Sequence, residues 1–292
     1  MTFFHRTMLN NRGVRRLAVI STVLLFTACS TNFFYERIDW FVVWQVNKYI
    51  PLKDEQKATL KADIGQRLEE MRSTELPRIS GLLQQTALDV NSRYVTAEMI
   101  DARYHEMLAE FDQFMLAIVP ISMRLLRSLD EEQVAELFAN LEEINKEMYE
   151  EYSGRTAEDR EKNRNKSAIK STQQWTGRLN GEQKLLIKDA LAEMDDASEQ
   201  WIEYQRQWQQ RFRTLIETRP PEAEYRQELI QLFVYPRESH SDVYRAKVEA
   251  NRAILNSMLA ELLSNLSDKQ RKRMVGELND YADDLTKLSQ LR

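Results

Sequence analysis

The chain has 292 residues, of which 42% are apolar and 30% charged, with a net charge of −5. That apolar content excludes a mainly disordered chain, and seven Gly with six Pro argue for helix and against a many-turned β-sandwich or barrel. A single Cys excludes a disulfide framework and a Cys-based zinc site, and three His leave little for a His-rich metal centre.

Residues 1–16 carry Arg6, Arg12, Arg15 and Arg16 and no acid, and residues 17–26 are apolar apart from Ser21 and Thr22. Thr27-Ala28-Cys29 follows. This pattern predicts a secretory signal peptide over 1–28, with an apolar stretch too short to span a bilayer. The segment resembles a bacterial lipobox with Phe26 where Leu is usual, which implies cleavage before Cys29 and its acylation, palmitate included. Several acyl chains, at about 0.8 kcal/mol per buried methylene, would hold the chain in a membrane. Ser30 after the Cys, by resemblance to Gram-negative sorting, implies the outer membrane, facing the periplasm. Cleavage takes four of the 41 basic residues and none of the 46 acids, so the net charge becomes −9. An acidic body argues against nucleic-acid binding and against electrostatic docking to anionic lipid.

The mature chain reads as helical throughout. Residues 33–49 hold seven aromatics in 17 positions, on two stripes, and Pro51 ends the segment. They read as core, with an aromatic collar at the lipid headgroups as the alternative. Helical pattern follows over 52–71, breaks at Glu75-Leu76-Pro77 and resumes over 78–90. Thr96 caps a long helix whose stripe includes Tyr104, Met107, Leu108, Phe111, Phe114 and Met115, and Pro120 is expected to kink or end it. Another helix covers 130–149. The charged stretch 151–174 reads as a solvated helix or hinge. Periodicity then runs from Gly181 through Ile216, over 222–234, and, after a polar loop at 235–242, over 243–263 and 268–288. The expected fold is all-α, an elongated multi-helix bundle. Its expected parts are an N-terminal half (29–150), a charged connector (151–174) and a C-terminal half (175–292).

Four copies of Leu-x-x-x-Gln punctuate this pattern: Leu52/Gln56, Leu129/Gln133, Leu179/Gln183 and Leu266/Gln270. Each Gln is followed by apolar residues four and eight places on. Their long–short–long spacing suggests two related halves, each opened and closed by one copy. Asp130, Asn180 and Ser267 stand three residues before their Gln, the spacing of a capping box. Lys53 spoils the box in the first copy. The copies read as helix-start signals, and they also resemble the LTxxQ signature of the Spy- and CpxP-like periplasmic helical chaperones.

Tyr35-Glu36-Arg37-Ile38-Asp39-Trp40 is similar to a segment of an uncharacterised family of proteobacterial lipoproteins. Trp44, Gln56, Glu75-Leu76-Pro77 and Trp175-Thr176-Gly177-Arg178-Leu179 followed by Gln183 carry the same resemblance. It implies one helical unit beginning near residue 31 and implies no activity. Arg37 and Asp39 cannot face each other on one helix; Asp39 is expected to meet an Arg from a later helix, as a buried structural pair.

Catalytic constellations are weak. Asp101 and His105 share a helix face but lack further ligands, and Ser239-His240-Ser241-Asp242 lies in a loop without a nucleophile elbow. No phosphate-cradling Gly-rich loop is present, and no metal or cofactor is expected. The reading is a membrane-anchored, non-catalytic binding or scaffolding lipoprotein with an envelope protein as partner or client. Met107, Phe111, Phe114 and Met115 read as core, with a groove wall as the alternative. The alternatives are a Spy/CpxP-like chaperone and a carboxylate-based hydrolase.

Overall fold

The computed structural model describes Tyr35 and residues 37–291. The signal peptide and Cys29 lie outside the described residues. Among the described residues there are eleven α-helices, one 3₁₀ turn and no strand. The helices are α1 (Ile38–Asn47), α2 (Asp54–Ser73), α3 (Glu75–Asn91), α4 (Ala97–Arg127), α5 (Glu131–Ser153) and α6 (Ala157–Thr176). They continue as α7 (Gly181–Glu193), α8 (Ser198–Thr218), α9 (Glu222–Phe233), α10 (Asp242–Ser264) and α11 (Asp268–Gln290), with the 3₁₀ turn Pro236–Ser239 between α9 and α10. The all-α fold follows from the helix-forming composition.

Helix starts follow local chemistry. Side chains of Thr96, Asp130, Thr156, Asn180, Ser241 and Ser267 each accept a backbone N–H of the first turn. Pro77 sits in the first turn of α3, where its missing N–H costs little, so Thr74 alone separates α2 from α3. Pro120 neither ends α4 nor interrupts its packing. Val119 on one side of it and Leu126 on the other are both buried, and this packing carries the helix past the lost hydrogen bond.

One stretch differs from expectation. The single run from Gly181 to Ile216 is divided into α7 and α8, because Asp196 Oδ1 accepts the Ser198 N–H (2.9 Å) and Asn251 bonds both the N–H and the carbonyl of Asp195 (2.9 Å each). The charged 151–174 stretch is occupied by the end of α5 and most of α6, and Ala168 and Thr176 of α6 are buried. Gly177 ends α6 at φ +77°, and a Cβ there would stand 3.3 Å from the Arg273 side chain.

The largest apolar cluster draws on both expected halves. Leu52, Leu60, Val119, Leu126, Val134 and Phe138 pack with Phe212, Ile216, Tyr225 and Leu229 of α8 and α9. A second cluster joins α6, α7 and α10 around Leu179, Ile187 and Leu262. Helix α3 lies along α11, where small residues allow close approach. Ser80 Oγ donates to the Ala282 carbonyl (2.8 Å), and Ala87 and Val90 pack on Leu266 and Leu278.

Candidate functional site

The four Gln residues of the repeated motif are brought together in two pairs, Gln56 with Gln133 and Gln183 with Gln270. In each pair both Nε2 atoms donate to the partner's Oε1. The distances are 3.1 and 2.7 Å in the first pair and 3.0 and 2.9 Å in the second. Each Oε1 also accepts its own N-cap N–H, from Lys53 (2.9 Å), Asp130 (3.2 Å), Asn180 (3.1 Å) and Ser267 (3.0 Å). Each Nε2 donates its other hydrogen to the carbonyl five residues before the partner Gln. Those carbonyls are Ser128 (3.0 Å), Pro51 (2.9 Å), Asn265 (3.4 Å) and Arg178 (2.9 Å). An amide with two acceptor lone pairs and two N–H groups is fully used by this arrangement, and no shorter or charged side chain supplies the same set.

The copies are therefore junctions where two helix N-termini meet, α2 with α5 and α7 with α11. Leu52, Leu129, Leu179 and Leu266 are all buried in the adjoining clusters. The capping box was legible from spacing; the cross-pairing was not, because a capping Gln shows no sign of its second partner. The junctions differ at one cap. The Lys53 side chain offers no acceptor, so only the N–H half of the box forms there, and its ammonium pairs with the opposite cap, Asp130, at 2.8 Å. The Lys53 ammonium and the Gln133 N–H hold the Asp130 carboxyl below its usual value. An open cleft of about 270 Å³ borders this junction, lined by Gln56, Asp63, Arg124 and Ser128 among others, and Arg124 bonds Asp63 across it (2.5 Å).

The signature residues are mainly structural. Tyr35 is buried against Leu76 and Leu288, and its hydroxyl donates to the Leu68 carbonyl (2.6 Å). Glu75 is buried and forms an ion pair with Arg67 while accepting from the Thr74 hydroxyl. Burial pushes the Glu75 carboxyl up, but the bonds from Arg67 and Thr74 outweigh it and leave it below the usual value. Asp39 reaches Lys61 of α2 (3.9 Å), so its partner is a Lys and not the expected Arg. Arg37 precedes α1, and its carbonyl accepts the Phe41 N–H (3.0 Å). Trp40 and Trp44 are not core. They are 58% and 43% exposed, because the opposite side of α1, carrying Val42, Val43 and Val46, is the one that packs.

Other catalytic candidates are likewise engaged. Asp101 accepts from Asn256 (2.9 Å), pairs with Arg252 (3.2 Å) and lies 3.4 Å from His105 Nε2. His240 lies between the Tyr204 and Tyr244 rings, at 4.6 and 4.4 Å. Burial, with Arg245 and Arg237 nearby, lowers its pKa, and burial pushes both tyrosines up to about 12. Ser239 Oγ accepts from Arg211 and Ser241 caps α10, so the Ser-His-Ser-Asp run serves the turn. Among the described residues no cluster of three or more His, Cys, Asp or Glu could hold a metal ion.

A family profile covers residues 48–245, from the end of α1 into α10 and including Gln56, Gln133 and Gln183. The chain belongs to DUF6279, a family of unknown function. The matched span also takes in Glu75-Leu76-Pro77 and Trp175 to Leu179, whereas Tyr35 to Trp40 and Gln270 lie beyond it. No curated protein and no solved structure matches the chain.

Proposed function

We propose that the protein is an acylated lipoprotein of the outer membrane whose periplasmic body binds or scaffolds another envelope protein without catalysis. One observation carries this reading. The polar residues that stood out in the sequence are engaged in holding helices together, while α4 presents Met107 (38% exposed) and Phe111 (52% exposed) outward. Exposed Met and Phe on one helix face suit adaptable contact with a protein partner. Among the described residues no helix is long and apolar enough to cross a membrane, and the reading puts the attachment at Cys29.

The test has two arms. The mass of the N-terminal peptide from cell membranes reads acylation of Cys29 directly; a free thiol there would end the lipoprotein reading. Crosslinking in intact cells and affinity purification should then recover one discrete partner that Met107→Glu/Phe111→Glu loses at unchanged Tm. Suppression of aggregation of an unrelated client at near-equimolar ratio would favour the chaperone reading. Hydrolysis abolished by Asp63→Asn in the cleft would favour the enzyme.

A further inference from the structure

Among the described residues, helix α1 packs on the body through its valine side. Val42, Val43, Val46 and Tyr49 rest on the largest cluster, and Asn140 donates to the Tyr49 carbonyl (3.0 Å), yet no residue of α1 itself is buried. The other side carries Trp40 and Trp44, one turn apart, with their rings stacked 6.2 Å apart and 9° from parallel. Lys48 follows after another turn, its ammonium 3.1 Å from the Trp44 ring centroid and donating to Gln45 Oε1 (2.8 Å). Two outward indoles followed by a cation suit a bilayer interface. The ring bodies enter the acyl boundary, the indole N–H groups stay among polar headgroups, and the ammonium reaches phosphate oxygens.

The chain preceding α1 selects this occupant. Tyr35 is buried and held by Leu68, and it stands six residues after Cys29. At about 3.5 Å per residue the tether spans no more than roughly 20 Å, so α1 stays close to the leaflet that receives the acyl chains. We propose that the Trp40–Trp44–Lys48 face of α1 lies in the headgroup layer of the phospholipid leaflet that anchors Cys29. This rests on the lipoprotein reading, and it adds a second membrane contact that fixes the orientation of the body.

The acylated full-length protein, reconstituted in vesicles of phosphatidylethanolamine with a minor fraction of phosphatidylglycerol, tests this. Phospholipid brominated near the headgroup should quench the emission of Trp40 and Trp44, two of the five tryptophans. Trp40→Phe/Trp44→Phe should lose that quenching while still floating with the vesicles. A protein that floats but is not quenched overturns the α1 contact and leaves the anchor standing. Quenching of an unacylated Cys29→Ser protein at high lipid supports the face and leaves the anchor unsupported. A photo-crosslinker at Trp44 that captures protein and no phospholipid in intact cells would assign the face to a protein and overturn the proposal.

Discussion

The two Gln junctions are built on one plan and sit in different surroundings. At α7 and α11 both caps are neutral, both Gln side chains are buried, and every donor and acceptor is met by another uncharged group. At α2 and α5 one cap is the exposed Lys53, Gln56 is only half-buried, and a charged pair crosses the joint beside an open cleft. The same hydrogen-bond geometry thus survives with both Gln side chains buried and with one of them half-exposed. What differs is how readily water replaces a lost amide–amide bond, since the Gln183–Gln270 bonds are buried and the Gln56–Gln133 bonds are part-buried.

The largest effect follows from that contrast. Gln270→Ala strands the buried Gln183 amide and unpairs the part-buried Arg178 carbonyl and Ser267 N–H, and should cost about 2–4 kcal/mol in chemical denaturation. Gln56→Ala should cost about 1 kcal/mol, because the Lys53 N–H and Ser128 carbonyl it leaves belong to exposed residues and its bonds to Gln133 are only part-buried. Equal losses at the two sites would remove the distinction. A double-mutant cycle sharpens it: Gln183→Ala and Gln270→Ala should be non-additive by about 1–2 kcal/mol, the Gln56/Gln133 cycle by less.

Acid should separate the junctions next. The Asp130 carboxyl is depressed in the folded state, so its contribution is complete above the usual carboxylate value. That contribution is lost as pH falls through the depressed one. Asn180 and Ser267 do not titrate. Amide exchange, corrected for intrinsic rates, should show the first turn of α5 losing protection before the first turns of α7 and α11. Simultaneous loss at all three would count against a charge-dependent first junction. The smallest effect is expected for Lys53→Ser, which supplies the missing cap acceptor and removes an exposed ion pair. Tm should rise slightly, and a fall would show that the ion pair outweighs the cap.

Much of this architecture is legible in the chain because it is local. The Thr96 cap, the Asp130, Asn180 and Ser267 boxes and the 3.6-residue stripes each report on a few neighbouring residues, and the helices begin where they indicate. The division of 181–216 was also present, in Asp195-Asp196-Ala197-Ser198, whose side chains compete with helix hydrogen bonds. What periodicity does not encode is which faces meet. The Gln pairing spans 77 and 87 positions, Asp112 on α4 meets Arg237 from the 3₁₀ turn, and Arg67 meets Glu75 across the α2–α3 corner. The exposure of Trp40 and Trp44 is of the same kind. Composition makes the α1 segment look like core, and only the choice of the valine side for packing turns the indoles outward.

Under the proposed function, the outward apolar surface is the working part of the protein and the polar motifs serve the scaffold. Site-specific photo-crosslinking in intact cells, with the reactive side chain at Phe111 of α4, tests it most directly. A single discrete protein adduct is expected, lost when Met107→Glu is added in a protein of unchanged Tm. No adduct at Phe111, with a discrete one at Asp63 in the polar cleft beside Gln56, would contradict it.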